Sequence, residues 1–355
     1  MAFPLTRSVL DAGVAARAFP AATIEVGRAD GPLWQDAIGA LRYEADAPPT
    51  TLETVFDLAS LTKVMATTSL AMRHVAAGRL GLEDRLADRL PGWHDSARAS
   101  ITIRHLLEHA SGLPAHARLW EHTRGRAEYE PKLAALPLES SPGTRSVYSD
   151  VGFMLLGFLI EDIGGAPLQV QMDDLAGLLQ LGTVRFLPPD AWRDRTAPTE
   201  FESWRNRLLV GEVHDENCSA LGGVAGHAGL FGTSGAVGTF ARAVLGAIAG
   251  GDDAAAPLPL MRQFATRTTV PGSSRALGWD TMLPTSSCGT RLSSRAIGHT
   301  GYTGTSLWID PEQDLYVALL TNRVYPTRAN DALRAIRPRV HDAVIEDLER
   351  GAGTR

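Results

Sequence analysis

Strand-like segments lie near the two ends of the chain, whereas helical segments fill the middle. Segments 22–26 and 33–38 are rich in strand-forming residues, and Ala29-Asp30-Gly31-Pro32 between them has turn chemistry, so they are predicted to form a hairpin. Further strand-like segments follow only much later, at 276–280, 306–310 and 315–320. Strands this far apart in sequence bury a shared apolar face most economically in one sheet, with the intervening chain as an insertion.

The sequence therefore predicts an α+β fold with one antiparallel sheet, terminal helices that flank it and an inserted all-helical domain. Residues 1–58 and 205–355 are assigned to the sheet domain and residues 59–204 to the mainly helical domain, with the active site in the cleft between them. Helical spacing predicts helices at 8–18, 63–77, 101–109, 151–163, 236–248 and 329–348.

Composition limits the kinds of partner. The chain has 355 residues, of which 44% are hydrophobic and 21% charged, enough for a large core. Its formal net charge is −6 and it has no dense Lys/Arg run, which argues against nucleic acid or an anionic membrane as a partner and favours a small-molecule substrate. Two cysteines, Cys218 and Cys288, are too few for a disulfide scaffold or a cysteine metal site, so both are predicted to be free thiols.

The first residues do not resemble a secretion signal. Met1 to Arg7 lack a basic start followed by an unbroken apolar stretch, and no segment is apolar over the length that a bilayer requires. The expected location is the cytoplasm, or the periplasm if a leader has been removed. The oligomeric state is left open.

A serine and a lysine are three residues apart where a short apolar approach enters a helix. Ser60 and Lys63 then share one helical face, one turn apart. A serine hydroxyl is a poor nucleophile, and a lysine amine whose pKa is lowered by burial can help to remove its proton. The alternative is ordinary helix chemistry, since helix starts favour serine and exposed helix faces favour lysine.

Two later stretches carry groups that would complete such a site. Tyr148 precedes Ser149-Asp150 at a predicted helix start, and a tyrosine whose pKa is lowered by a nearby lysine can act as a base or relay a proton to a leaving group. Residues 297–305 contain three glycines, which would let a strand edge approach a substrate and offer backbone N–H groups to an oxyanion. The alternatives are a normal helix start and a glycine-rich turn.

Three motifs in this order resemble those of the penicillin-recognising serine hydrolases, which include class C β-lactamases, D-alanyl-D-alanine carboxypeptidases and related esterases. They are Ser60-Leu61-Thr62-Lys63, Tyr148-Ser149-Asp150 and His299-Thr300-Gly301, and the likeness runs from about Ala22 to Val344. The resemblance implies a β-lactamase/transpeptidase-like fold and a covalent acyl-enzyme cycle that needs no metal or organic cofactor.

The resemblance also implies roles for single residues. Ser60 would be the nucleophile, with Lys63 and Tyr148 sharing the work of general base and acid. The backbone N–H groups of Ser60 and Tyr302 would form the oxyanion hole. The substrate-binding residues would be Asp150, His299, Thr300 and Gly301.

Two positions depart from the pattern of relatives. Relatives often have asparagine where this chain has Asp150, and lysine where it has His299. An added carboxylate, with a titrating imidazole in place of a fixed cation, should weaken recognition of a substrate carboxylate and so favours ester hydrolysis. Histidine also occurs at this position in peptidases of the superfamily, so β-lactams and D-alanyl peptides remain alternatives.

Other patterns were weighed against this interpretation. His105-Leu106-Leu107-Glu108-His109 matches the H-x-x-E-H pattern of some zinc peptidases but lacks an obvious third ligand, so no metal is predicted. The histidines at 214 and 227 could reach the cleft from loops, although a structural role is favoured, and there is no complete G-x-S-x-G motif. Three hypotheses remain: a serine hydrolase of small esters, a β-lactamase or D-alanyl carboxypeptidase, and a non-catalytic penicillin-binding sensor.

Overall fold

The computed structural model describes residues 2–90, 92–95, 98–251 and 256–352. Its strands are β1 (Ala21–Arg28), β2 (Gly31–Gly39), β3 (Phe56–Asp57), β4 (Val184–Phe186), β5 (Phe201–Glu202), β6 (Arg207–Leu208), β7 (Leu230–Gly232), β8 (Asp280–Thr281), β9 (Ile297–Thr300), β10 (Ser306–Asp310) and β11 (Leu315–Thr321). Its α-helices are α1 (Pro4–Ala15), α2 (Ser69–Ala76), α3 (Ile103–Leu107), α4 (Gly125–Ala134), α5 (Asp150–Gly164), α6 (Leu168–Leu178), α7 (Glu216–Ala220), α8 (Ser234–Gly250), α9 (Met261–Phe264) and α10 (Leu333–Ala352).

The main sheet joins the two ends of the chain, as the sequence predicts. Its six strands run in the order β2-β1-β11-β10-β9-β8, and every neighbouring pair is antiparallel. The N-terminal hairpin therefore pairs with the last strand, with Ile24 opposite Leu319. Two small sheets, β3-β7-β4 and β5-β6, lie outside it.

Strand β11 shows why helices cover both faces of this sheet. Its seven residues are all buried, and successive side chains point to opposite faces. Tyr316 and Leu320 belong to the large core shared with α2, α5 and α8, whereas Val317 and Leu319 belong to a second core that includes residues of α1 and α10. The terminal helices thus flank the sheet, which confirms that part of the fold prediction.

Two local predictions are wrong. Segment 63–77 is not one α-helix, because Lys63–Thr68 forms a π-helical turn before α2 begins. In this wider turn the Ser69 hydroxyl donates to the Val64 carbonyl, 2.8 Å away and five residues earlier. Segment 276–280 is mostly a turn rather than a strand, since Gly278 has φ +82° and the Ala276 N–H bonds to the Trp279 carbonyl.

Both cysteines are free and buried, as expected. Across the residues that the structure describes, no single helix has the length and apolar character to cross a membrane, and α5 with α6 meet that test only as a pair bent by 79°.

Three buried histidines make the fold sensitive to acid. Burial lowers the pKa of His109 and His299 well below 6.5, and burial together with Arg337 lowers the pKa of His341 to about 3. Below pH 6.5 the unfolded chain binds protons that these native rings cannot, so stability falls as the pH falls. For His341 this should cost about 2 kcal/mol of unfolding free energy at pH 5, and His109 and His299 act in the same direction.

Urea unfolding at pH 7, 6 and 5 measures this loss. The surface histidine His116 has a raised pKa, caused first by its bond to Asp150, and acts in the opposite sense. His341→Leu is expected to remove about 2 kcal/mol of the difference between pH 7 and pH 5. Equal differences in the two proteins would contradict the assignment.

Candidate active site

Ser60 follows a tight turn at the end of β3. Ala59 has φ +47°, an unfavourable conformation for a residue with a Cβ, and its N–H donates to the Asp57 carboxylate at 2.8 Å. The turn places the Ser60 hydroxyl in the wall of a cavity of about 680 Å³. Strain held beside a candidate nucleophile fixes the direction of its side chain before substrate arrives.

Lys63 lies beneath Ser60 and is completely buried. Its amine contacts three acceptors: the Ser60 hydroxyl at 3.0 Å, an Asp150 carboxylate oxygen at 2.7 Å and the His227 carbonyl at 2.9 Å. An ammonium group has three N–H bonds and each finds an acceptor here. The contacts therefore fit the charged form of Lys63.

The predicted lowering of the Lys63 pKa is wrong. Burial is the largest single effect and lowers this pKa, but the charge of Asp150, the nearby Tyr148 and the hydrogen bonds to both together raise it, so that the net pKa lies above 10.5. Burial raises the pKa of Asp150, yet the charge of Lys63 and the bond to His116 bring it below the ordinary value. The two groups therefore form an ion pair in which the ammonium is buried and the carboxylate is partly exposed to the cavity, and the carboxylate at position 150 helps to keep Lys63 charged.

Tyr148 stands over the same pair. Its ring centroid lies 4.9 Å from the Lys63 ammonium nitrogen and 5.2 Å from the Arg275 guanidinium carbon. Burial raises the pKa of Tyr148 and outweighs the lowering by Lys63, so the predicted reduction is wrong here too. The phenol is neutral at ordinary pH and can move a proton only by accepting one while it gives up its own.

The β9–β10 turn brings a second N–H group towards Ser60. Among the described residues, the N–H groups of Ser60 and Tyr302 have no backbone acceptor, so both are free to bind an oxyanion. The Thr303 hydroxyl donates to the Asp57 carbonyl at 2.7 Å, and the Thr305 hydroxyl donates to the Leu58 carbonyl at 3.0 Å. These two bonds fix the turn to the Ser60 segment.

Gly301 is required for this approach. A Cβ at Gly301 would lie 2.7 Å from the Leu58 carbonyl oxygen and 2.1 Å from the Thr305 hydroxyl. Any side chain would push the turn away from the serine and separate the two N–H groups.

His299 is neutral rather than titrating near pH 7. The side chain is 2% exposed, Nδ1 lies 2.9 Å from the Thr300 carbonyl, and Nε2 has no partner among the described residues. Burial, followed by the charges of Lys63 and Arg275, lowers its pKa. Positive charge around this ring is thus supplied by other residues, Lys63 and Arg275.

The cavity brings the predicted residues together. Its wall contains Ser60, Tyr148, Asp150, His299, Thr300, Gly301 and Tyr302, with Lys63 just below the surface.

It also contains residues that the sequence analysis missed. His116 lies 3.8 Å from the second Asp150 oxygen, and Arg275 lies over the Tyr148 ring. Neither belongs to a local motif, so no sequence signal marked them. His214 lines the cavity, while His227 lies below it and bonds through Nε2 to Asp215 at 2.8 Å.

The histidines of the H-x-x-E-H segment do not converge. Helix α3 ends at Leu107, so His109 is beyond it and does not share a helical face with His105. His105 Nδ1 accepts from the Thr102 N–H, and His109 Nδ1 accepts from the Ser149 N–H at 3.0 Å. Within the described ranges no three histidine, cysteine, aspartate or glutamate side chains are grouped to hold a metal ion. His109 instead packs against Tyr148, with ring centroids 4.7 Å apart.

Comparison with known proteins agrees with this geometry. The family model described as Beta-lactamase matches residues 6–340, so the chain belongs to the beta-lactamase family of serine hydrolases. A putative D-alanyl-D-alanine carboxypeptidase of Escherichia coli (strain K12) is 32% identical over 318 residues, 80% of this chain and 72% of that protein. An N-acetylmuramyl-L-alanine amidase of Bacillus subtilis (strain 168) is 32% identical over 317 residues, 76% of this chain and 68% of that protein.

The fold also matches a solved structure described as EstCE1, a hydrolase with promiscuous acyltransferase activity. The TM-score is 0.75 at 21% identity, and the match covers 96% of this chain and 97% of that one. The predicted family and fold class are thereby confirmed.

Proposed function

We propose that this protein hydrolyses small carboxylic esters through an acyl-enzyme on Ser60. The observation that carries the proposal is the 3.0 Å contact between the Ser60 hydroxyl and a buried, charged Lys63, directly below an open cavity. A fixed ammonium stabilises negative charge as it develops on the serine oxygen, because the buried site is poorly screened.

Tyr148 acts as the proton relay in this mechanism. As the Ser60 oxygen attacks the ester carbonyl, its proton passes to the Tyr148 oxygen, and the Tyr148 proton passes to the departing alkoxide. The C–O bond to the alcohol breaks, the alcohol leaves, and an acyl-serine ester remains. Water then attacks the acyl group, gives its proton back through Tyr148 to Ser60, and releases the carboxylic acid.

The N–H groups of Ser60 and Tyr302 bind the tetrahedral oxyanion in both steps. Esters suit this arrangement because an alcohol is a better leaving group than an amine and demands less of a neutral phenol as acid. A neutral His299 and a charged Asp150 also make the part of the cavity that these two side chains line less attractive to a substrate carboxylate.

Cleavage of D-alanyl peptides is the second candidate. It is favoured by the name of the Escherichia coli relative and by Arg275, whose guanidinium carbon lies 5.2 Å from the Tyr148 ring centroid. An arginine there could bind the terminal carboxylate of a peptide.

The test is a substrate panel with p-nitrophenyl acetate, nitrocefin and a peptide ending in D-Ala-D-Ala. We expect turnover of the acetate and at least about tenfold lower kcat/KM for the other two. Greater turnover of nitrocefin or peptide would replace the ester proposal by the second hypothesis. A stable adduct on Ser60, seen by intact-protein mass spectrometry without turnover, would favour a sensor.

A further inference from the structure

Three arginines meet at the end of the cavity beyond Tyr302. Arg323 follows β11, and Arg334 and Arg337 lie in the first turns of α10. All three line the cavity that contains Ser60. The N-terminus of this 20-residue helix adds its own partial positive charge to theirs.

Arg337 is the most unusual of the three because it is buried and has no counter-ion among the described residues. It is 9% exposed, its Nε has no hydrogen-bond partner within those residues, and one terminal nitrogen makes a long 3.4 Å contact to the Thr305 carbonyl. Burial and the nearby Arg323 lower the pKa of Arg337 to about 10. Leaving a charged guanidinium in such a place is costly unless an anion joins it.

Arg323 and Arg334 likewise have no acidic partner among the described residues. Arg323 donates to the carbonyls of Tyr302 at 2.9 Å and Asn330 at 2.6 Å, and Arg334 is exposed. In the part of the chain that the structure describes, no carboxylate lies within 4.0 Å of any of these three guanidinium groups.

Arg328 provides the contrast within the same cavity. It is paired with Glu200 at 2.6 Å and with Glu216 at 2.8 Å. The protein's own acidic residues thus neutralise Arg328. Arg323, Arg334 and Arg337 remain available to bind an anionic ligand.

The position of the three arginines indicates which part of a substrate they would contact. Tyr148, which gives the leaving group its proton in the proposed mechanism, lies at the His299 side, with ring centroids 5.8 Å apart. Arg323 and Arg337 instead contact the carbonyls of Tyr302 and Thr305, in the turn that follows β9. Because Arg323 bonds to the carbonyl of Tyr302, whose N–H would hold the substrate carbonyl oxygen, the acyl chain is the part of the substrate that we place against the arginines.

We propose that Arg323, Arg334 and Arg337 form a carboxylate-binding subsite for the acyl part of the substrate, so that the preferred substrates are monoesters of dicarboxylic acids. The inference rests on the proposed ester hydrolysis. A guanidinium binds a carboxylate through two parallel hydrogen bonds, which fixes the direction of the acyl chain as well as its charge.

The test compares mono-p-nitrophenyl adipate with p-nitrophenyl hexanoate, which have acyl chains of equal length and differ in the terminal carboxylate. We expect wild-type kcat/KM to be at least about tenfold higher for the adipate, and this preference to shrink at high salt. Arg334→Gln, at an exposed position, should reduce the preference at least about threefold, and Arg337→Gln about tenfold or more. Arg339→Gln, exposed on the same helix outside this cavity, is the matched control and should leave the preference intact.

Binding to the Ser60→Ala protein separates the two proposals. Calorimetry should show monomethyl adipate binding at least about tenfold more tightly than methyl hexanoate. If neither p-nitrophenyl ester is turned over but this binding preference holds, ester hydrolysis fails and the subsite stands. If both esters are hydrolysed equally well and Arg334→Gln changes nothing, the subsite is overturned and hydrolysis stands. Because Arg334 is exposed, this outcome does not depend on whether Arg337→Gln folds.

Discussion

Ser60→Ala is expected to lower kcat/KM for p-nitrophenyl acetate by about 10³-fold to 10⁶-fold, the range seen when a catalytic serine is removed. The alanine retains the turn at Ala59 and the free N–H at position 60, so the oxyanion hole should remain. What is lost is the hydroxyl that lies 3.0 Å from the Lys63 ammonium and faces the cavity. Without it no acyl-enzyme can form.

Two measurements make this result specific. Wild-type protein quenched during turnover of p-nitrophenyl acetate should carry one added acetyl group on the peptide that contains Ser60, and the variant should carry none. Ser203→Ala, an exposed serine outside the cavity, is the control and should behave like wild type. Full activity in Ser60→Ala would rule out the proposed mechanism.

Asp150→Asn is expected to move the alkaline limb of the pH–rate profile down by about 1 to 3 pH units. In the wild-type protein the Asp150 charge raises the pKa of Lys63 above 10.5 against the effect of burial. With asparagine the burial remains and the opposing charge is gone, so the pKa falls below 10.5. Activity that needs the ammonium form is present below the pKa of Lys63 and is lost as the pH rises through it.

The direction of the limb decides between two roles for Lys63. If the neutral amine were the base that activates Ser60, activity in Asp150→Asn would rise with pH through the lowered pKa instead of falling. The profile should be measured with p-nitrophenyl acetate between pH 6 and 10, after subtraction of the Ser60→Ala background. Asp162→Asn removes a carboxylate from a surface ion pair with Arg126 and should leave the profile unchanged.

The features that the sequence predicted well are those set by neighbouring residues. Short apolar runs rich in strand-forming residues in 306–310 and 315–320 specify strands, and glycines specify where helix and turn must end. The three motifs likewise placed Ser60, Tyr148 and Gly301 in the wall of one cavity. Their catalytic roles stay predictions, as do the domain boundaries at 58 and 205.

The features that it missed arise from residues brought together by the fold. The pKa of Lys63 depends on a carboxylate 87 positions away, and no local pattern says whether burial or that charge has the larger effect. Arg275 and Arg337 carry no motif, and Arg337 is unusual because no carboxylate among the described residues lies within 4.0 Å of it. Whether a charged side chain finds a partner depends on the folded structure and cannot be read from sequence spacing.

The threonine bonds of the β9–β10 turn imply an order of events during folding. The Thr303 bond joins two residues that are 246 positions apart in the chain, and the Thr305 bond joins two that are 247 positions apart. The Ser60 N–H lies on one side of these bonds and the Tyr302 N–H lies on the other. In the proposed mechanism, a nascent chain that has reached only the helical region would possess Ser60 and Lys63 but would lack the Tyr302 half of the oxyanion hole. Such a chain would therefore gain its activity only after the last strands have docked.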